Sequence, residues 1–295
     1  MSRMTPKTYR GRFAPSPTGP LHLGSLACAL SSWLDARAHD GEWLIRIEDI
    51  DPPRDVPGAD EDILQTLKAF HLESDLPVVW QSDRHALYEN AFQKLQQAGT
   101  LYGCSCSRSS IAIASAAAGL PPGVYPGTCR NGTNGAAIRS YRFRVDAQSP
   151  TCFADRICGE YAQDVLREVG DFVLKRADGL WAYQLAVVVD DAEQGITHIV
   201  RGRDLLDNTP RQILLQRALG FAQPVYMHIG LITDASGNKL SKQNKAPRVP
   251  ADNPLKTLES LWPLMGFPRI GAQSLDAFLR LASELWAERY CSRAC

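Results

Sequence analysis

Arg12-Phe-Ala-Pro-Ser-Pro-Thr-Gly-Pro-Leu-His-Leu-Gly-Ser25 decides how the chain is read. Residues 8–14 read as a short strand, and the loop Pro15-Ser-Pro-Thr-Gly-Pro20 follows it. A helical pattern starts near His22 and runs to about His39, with Gly41 as its natural stop. Trp43-Leu-Ile-Arg-Ile47 is a second strand, ending in the polar cluster Glu48-Asp-Ile-Asp51 and a proline pair. Helices are expected over 57–71 and 83–98. Strand, loop, helix and strand at this spacing begin an α/β fold with a doubly wound parallel (Rossmann-type) sheet. Ligands of such sheets bind outside the carboxyl ends of the strands, where helix N-termini offer free N–H groups to phosphate. His22 can donate a hydrogen bond to a phosphoryl oxygen, and Gly24 lets a nucleotide approach the backbone. Taken alone, His-Leu-Gly-Ser fits an ordinary helix start equally well.

The character changes between Leu101 and Asp171, where most of the eight cysteines lie beside an Ala-rich helical stretch (111–119) and a basic strand (139–145). This span, 101–171, reads as a module inserted into a catalytic domain formed by 1–100 and 172–245. Asp178-Gly179 suits a hairpin turn. Tyr183–Val189 is apolar, Thr197–Arg201 is strand-like, and Asn208–Leu219 is a helix stopped by Gly220. A strand near Val225–Ile232 leads into the polar loop Ser236–Asn244, and residues 246–295 suffice for a short helical region only.

Among 295 residues, 44% are hydrophobic and 22% charged, the balance of a globular protein. No apolar stretch is long enough to span a bilayer, and the N-terminus lacks the apolar core of a signal peptide. Eight cysteines in a chain of this length do not suggest a secreted disulfide scaffold, so a cytoplasmic location with reduced thiols is expected. The formal net charge is zero, which argues against an extended electrostatic footprint on nucleic acid but allows a local patch such as Arg139, Arg142 and Arg144.

Lys239-Leu-Ser-Lys-Gln243 places two ammonium groups and a hydroxyl, those of Lys239, Lys242 and Ser241, in a loop preceded by glycine. Such a loop can close on a triphosphate and neutralise charge developing on the α-phosphate. By itself the pentapeptide also reads as a solvated basic loop. The early Pro-x-Gly-x-x-His-x-Gly-Ser loop and this late loop, in this order, resemble the two signature motifs of class I aminoacyl-tRNA synthetases. Arg12-Phe-Ala-Pro-Ser-Pro-Thr-Gly, Arg46-Ile-Glu-Asp-Ile-Asp51, Leu185-Ala-Val-Val-Val-Asp-Asp191 and Ile199-Val-Arg-Gly202 resemble the glutamyl branch in particular.

The resemblance implies catalytic roles for His22, Gly24, Lys239, Ser241 and Lys242, with His22, Gly24, Ser25 and Lys242 on ATP. It places glutamate on Arg12, Phe13, Ala14, Pro15, Ser16, Glu48, Tyr183 and Arg201. The chemistry agrees. Arg12 and Arg201 are counter-charges for the side-chain carboxylate, Tyr183 is a phenolic donor beside them, and Glu48 with Ser16 suits the α-ammonium. These glutamate-site positions read as strand ends. The alternative is that both arginines serve structural ion pairs with Asp49, Asp51 or Asp204. Two guanidinium groups would also reject glutamine, whose neutral amide leaves buried positive charge unpaired. The substrate's own α-carboxylate attacks the α-phosphorus, so no protein nucleophile is required. Mg²⁺ is expected with the ATP, held mainly by phosphates and water.

Cys104-Ser-Cys106 can turn two thiolates toward one structural Zn²⁺, with Cys129 as a third ligand. No histidine lies between His85 and His198 to complete the set. The resemblance offers Tyr125 as the fourth ligand, Cys152 and Cys158 are rivals, and reduced cysteines packing a small core are the alternative. Cys28, Cys291 and Cys295 look isolated.

Full-length glutamyl-tRNA synthetases continue into a long anticodon-binding region, for which the residues after Asn244 are too few. A truncated branch, the glutamyl-Q tRNA(Asp) synthetases, is similar in length, in Lys-Leu-Ser-Lys-Gln-Asn, in Asp49-Ile-Asp-Pro-Pro-Arg54 and in the Cys-x-Cys/Tyr-x-x-x-Cys set. This resemblance implies activation of L-glutamate without tRNA and transfer to queuosine in the anticodon stem-loop of tRNA(Asp). The sequence itself indicates no oligomeric state, a monomer being favoured, and no membrane partner is expected. The rivals are a glutamyl-tRNA synthetase served by a separate anticodon-binding chain, a non-catalytic RNA-binding paralogue, and a nucleotidyltransferase activating another small carboxylate. Both ATP loops are intact, against the paralogue. Two arginines and a glutamate at the glutamate positions argue against the last.

Overall fold

The computed structural model of the chain describes residues 9–146, 150–233 and 247–291. Its first unit is β1 (Arg10–Phe13), α1 (Leu23–Ala38) and β2 (Glu42–Ile47). His22 caps α1 by accepting the Ser25 N–H on Nδ1 at 3.1 Å, and the Gly41 N–H closes the other end on Ala36 O at 2.8 Å. A Cβ at residue 41 would sit 2.6 Å from the Tyr9 carbonyl oxygen, so glycine is what lets the two segments approach. Leu26, Leu30 and Leu34 share one core with Trp43, Ile45 and Ile47. That burial explains why α1 is apolar over most of its surface.

Next come α2 (Ala59–Ala69), β3 (Val79–Trp80), α3 (His85–Gln97), β4 (Leu101–Cys104), α4 (Arg108–Ala117) and β5 (Ser140–Phe143). The hairpin β6 (Thr151–Asp155) and β7 (Gly159–Gln163) follows, then α5 (Val165–Glu168), β8 (Phe172–Lys175), α6 (Tyr183–Glu193) and β9 (His198–Gly202). The remainder is α7 (Thr209–Leu219), β10 (Val225–Ile229), α8 (Pro254–Leu264) and α9 (Leu275–Tyr290).

Strands β1, β2 and β3 pair in parallel, and β10 lies parallel between β9 and β6. The Thr197 N–H donates to Arg10 O at 2.9 Å, which sets the start of β9 beside β1. Residues just beyond β1, β2 and β10 and at the end of β9 line one cleft. The fold is α/β with parallel strands, and its cleft lies at the strand ends where this architecture holds ligands. A separate antiparallel sheet, β4–β5–β8, carries the cysteine segment.

Three differences from the sequence reading have physical causes. Tyr183 is the first residue of helix α6, after Ala182 as N-cap, and does not end a strand. Residues 184–191 are all buried, and a helix enclosed on every side has no polar face to reveal its period. The β6–β7 hairpin lies inside 101–171, yet β6 pairs with β10, while β8 just beyond that stretch pairs with β5. Arg142 is not part of an open basic patch. It is buried, with its guanidinium 3.8 Å from the Tyr125 ring centroid and Nη1 donating to Asp171 O at 2.7 Å. The two C-terminal helices join the first core rather than forming a layer of their own. Trp262, Phe278 and Trp286 are buried with Leu30 and Trp43, and Trp286 Nε1 donates to Asp35 of α1 at 2.9 Å.

Candidate active site and cysteine cluster

The cleft at the strand ends has a volume of about 340 Å³, within the range of small-molecule sites. Arg12, Phe13, Ala14, Pro15 and Ser16 reach it from β1 and the following loop. His22, Gly24 and Ser25 come from the start of α1, Glu48 from just past β2, Tyr183 from α6 and Arg201 from β9. Residues expected on ATP and residues expected on glutamate thus share one cavity. Lys239, Ser241 and Lys242 lie outside the described residues.

Beneath the cleft is a buried charge network. Arg12 grips Asp191 with Nε at 3.1 Å and Nη2 at 3.3 Å. Arg46, fully buried, donates to Asp191 at 2.8 Å, to Glu48 at 3.1 Å and to Gln194 at 2.7 Å. Asp190 receives Gln81, Arg84 and Tyr88 at 2.6, 2.6 and 2.9 Å. Burial alone would raise the Asp191 carboxyl, but Arg12 and Arg46 outweigh it and hold the group below its usual range. Glu48 moves the other way, because burial is only partly offset by Arg46 and Arg12. Arg12 thus does serve a buried ion pair, with Asp191 and not with Asp49 or Asp51. Asp49 accepts from Ser82, and Asp51 pairs with Arg54 and Arg176.

Arg201 is built differently. It is 4% exposed, its Nε donates to His228 Nε2 at 3.0 Å, and its Nη2 donates to Thr209 and Gln212 at 2.8 and 2.9 Å. Nη1 is buried without a hydrogen-bond partner among the described residues. Every hydrogen-bond partner it has among the described residues is uncharged, whereas Arg12 faces a carboxylate. Its charge is therefore available to an anion in the cleft. Tyr183 feels this neighbourhood: burial raises its hydroxyl, Glu48 adds to that, and Arg201 and Arg12 oppose it.

At the start of α1, His22 Nδ1 is occupied as an acceptor, so the neutral ring carries its proton on Nε2, 3.0 Å from Ser25 Oγ. That N–H and the backbone N–H groups of Leu23 and Gly24 at the start of α1 suit a phosphate. Sequence reasoning missed the supports: Arg46 and Asp191 appeared only within quoted motifs, and His228 and Asp155 carried no local signal.

Away from the cleft, Cys104, Cys106 and Cys129 bring their sulfurs within 4.8 Å of one another. Cys106 and Cys129 are 3.5 Å apart, and Tyr125 Oη lies 3.4 Å from Cys104 and 4.0 Å from Cys106. Sulfurs on a tetrahedral Zn²⁺ stand roughly 3.8 Å apart, so the donor set is compatible with that ion. Burial works against ionising Cys129, but hydrogen bonds led by Ser105 pull its thiol down to about 6, while burial and Cys129 push Cys106 up to about 11. Cys152 and Cys158 do not join the cluster. Cys152 is exposed on β6, and Cys158 points at His228 O at 3.7 Å. Cys291 is not isolated as expected, because its sulfur is 3.8 Å from His39 Nδ1 near Asp35. Asp35 there is saturated by Tyr9, Arg156 and Trp286 and suits no cation. Cys295 lies outside the described residues. No helix among the described residues is long and apolar enough to cross a membrane.

Comparison with known proteins agrees with this geometry. Residues 8–256 match the family model for tRNA synthetases class I (E and Q), catalytic domain. A glutamyl-Q tRNA(Asp) synthetase of Burkholderia cenocepacia is 53% identical over 293 residues, covering 97% of this chain and 98% of its own. One from Cupriavidus metallidurans is 55% identical over 285 residues, covering 95% and 92%. Among solved structures, a glutamate tRNA ligase from Elizabethkingia meningosepticum in complex with its amino acid superposes with a TM-score of 0.71 at 29% identity. That match covers 80% of this chain and 52% of the ligase, so the chain spans about half of that structure. The chain belongs to the class I glutamyl and glutaminyl tRNA synthetase family of ligases and, within it, to the glutamyl-Q tRNA(Asp) synthetases.

Proposed function

We propose that the cleft activates L-glutamate with ATP, without tRNA, and passes the glutamyl group to queuosine in the anticodon stem-loop of tRNA(Asp). The observation that carries the amino-acid half is Arg201, a buried cation with neutral supports and, among the described residues, no partner for Nη1. A side-chain carboxylate seated there supplies the missing anion. Glutamine would leave the charge unpaired, which costs far more than a lost contact. Arg12, already neutralised by Asp191, contributes directed hydrogen bonds more than net charge, and Tyr183 adds a phenolic donor. Glu48, accompanied by Ser16, faces the α-ammonium.

With the substrate so held, its α-carboxylate oxygen attacks the α-phosphorus of ATP, the bond to the bridging oxygen breaks, and pyrophosphate leaves. The protein orients the reactants and stabilises developing charge. His22 donates through Nε2, Gly24 and Ser25 offer the start of α1, and Lys239, Ser241 and Lys242 close over the phosphates with Mg²⁺. Cys104, Cys106, Cys129 and Tyr125 hold one structural Zn²⁺, which ties β4 to the loop before β5. The catalytic unit is split around this insert, and the pairing of β6 with β10 favours counting the hairpin with the catalytic sheet. The queuosine acceptor rests on the named relatives. A monomer acting in the cytoplasm fits the reading.

ATP–pyrophosphate exchange with each of the twenty amino acids, with and without tRNA, tests the activation step. Glutamate alone should support exchange in the absence of tRNA. Exchange that strictly needs tRNA, or that prefers glutamine, overturns it.

A further inference from the structure

Arg201 is held in place by a chain of two residues that do not line the cleft. Its Nε donates to Nε2 of His228 at 3.0 Å, so that nitrogen is an acceptor and the ring proton sits on Nδ1. Nδ1 in turn donates to Asp155 Oδ2 at 2.6 Å. Both side chains are fully buried. The other carboxylate oxygen of Asp155 accepts the backbone N–H groups of Ile157, Cys158 and His228 at 3.0, 2.8 and 3.2 Å, which leaves it little freedom to turn. Burial pushes the imidazole toward its neutral form, with Arg201 adding to that and Asp155 opposing it.

The contrast with Arg12 gives the arrangement its meaning. A carboxylate placed directly on Arg201, as Asp191 sits on Arg12, would cancel the charge that a ligand must meet. A neutral imidazole fixes the guanidinium plane and leaves the charge in place. The negative charge of Asp155 stands one ring away, where it locks the tautomer without competing with the ligand. We propose that His228, oriented by Asp155, is a positioning residue that presents Arg201 to the substrate's side-chain carboxylate and thereby sets the preference for glutamate over glutamine. This rests on the reading of the cleft as a glutamate site.

Two substitutions separate the halves of the chain. His228→Gln keeps a carbonyl oxygen near the place of Nε2, as an acceptor for Arg201. His228→Asn keeps a donor for Asp155 but is too short to reach the guanidinium. In ATP–pyrophosphate exchange, His228→Asn should raise the KM for glutamate by about tenfold or more and narrow the glutamate-to-glutamine ratio of kcat/KM similarly. The KM for ATP should stay within about twofold, and His228→Gln should restore most of the lost discrimination. A His228→Asn enzyme whose glutamate KM and selectivity match the parent overturns the inference. So does a parallel loss of ATP and glutamate binding in both variants, which marks a merely structural residue. Absence of glutamate-dependent exchange in the unaltered protein would instead remove the cleft reading, and the inference with it.

Discussion

Replacing Asp191 with asparagine takes one negative charge from the point where β1, β2 and α6 are joined. Asp191 receives Arg12 through two hydrogen bonds and Arg46 through a third, and the three side chains are 4%, 4% and 0% exposed. Asparagine has nearly the same volume, so no cavity opens and the cost is electrostatic. Breaking a buried ion pair by neutralising one partner costs about 3–5 kcal/mol, because the remaining charge stays out of water. Asp190 and Glu48 still face Arg46, at 3.7 and 3.1 Å, which places the expected loss near the lower end, about 3 kcal/mol. For 295 residues that corresponds to a fall in Tm of roughly 5 °C. Urea and thermal unfolding measure it, with Arg280→Ala as control, since the Arg280–Glu284 pair is about two-thirds exposed on each side and should change little. A loss below about 1 kcal/mol for Asp191→Asn would refute the claim that this carboxylate anchors both arginines.

Lys242→Ala should slow glutamate-dependent exchange by roughly two to three decades, the usual cost of one preorganised donor, and a fall under about threefold removes it from the mechanism. Protein purified without added metal should contain one zinc per chain by elemental analysis. Cys106→Ser should lose it, and zinc that survives Tyr125→Phe but not Cys152→Ser would show the wrong fourth ligand. Asp155 is held down to about 2 against an ordinary 3.8: burial works against this, and hydrogen bonds led by His228 outweigh it. A depressed carboxyl stabilises above its unfolded value and loses that stabilisation as the pH falls through the folded one. The stability gap between the parent and Asp155→Asn should therefore narrow by about 2 kcal/mol between pH 4 and pH 2. A gap that stays constant over that window contradicts the depressed value.

Local pattern made the first unit legible. The Pro/Gly loop, the His22 cap and the Gly41 stop each act over a few residues, so β1, α1 and β2 fell where the sequence put them. The cleft residues were legible too, because they sit at the ends of β1, β2 and β9 or open α1 and α6, within motifs of ordered spacing. Tyr183 shows the limit: its position was visible, its helix was not, since α6 is buried on every side. Tertiary partners left no trace. Asp155 and His228 are 73 residues apart, and neither shares a motif with Arg201. The alternating burial of β6 marks a strand, but nothing local tells it to pair with β10 and not with β5. The arginines of the basic strand illustrate a second limit. Charge alone suggested an RNA surface, whereas Arg142 stacks on Tyr125 beside the cysteines.

On the function proposed above, glutamate activated here is delivered to an anticodon base and not to the 3′ end of a glutamate-accepting tRNA. Labelled glutamate and ATP can be offered with a queuosine-containing tRNA(Asp) stem-loop, with the same stem-loop carrying guanine, and with intact tRNA(Glu). Label is expected on the queuosine stem-loop alone, since an unstacked loop base exposes the edges and faces that a compact cleft can hold. Label esterified to the terminal ribose of tRNA(Glu), with none on the queuosine stem-loop, would contradict it.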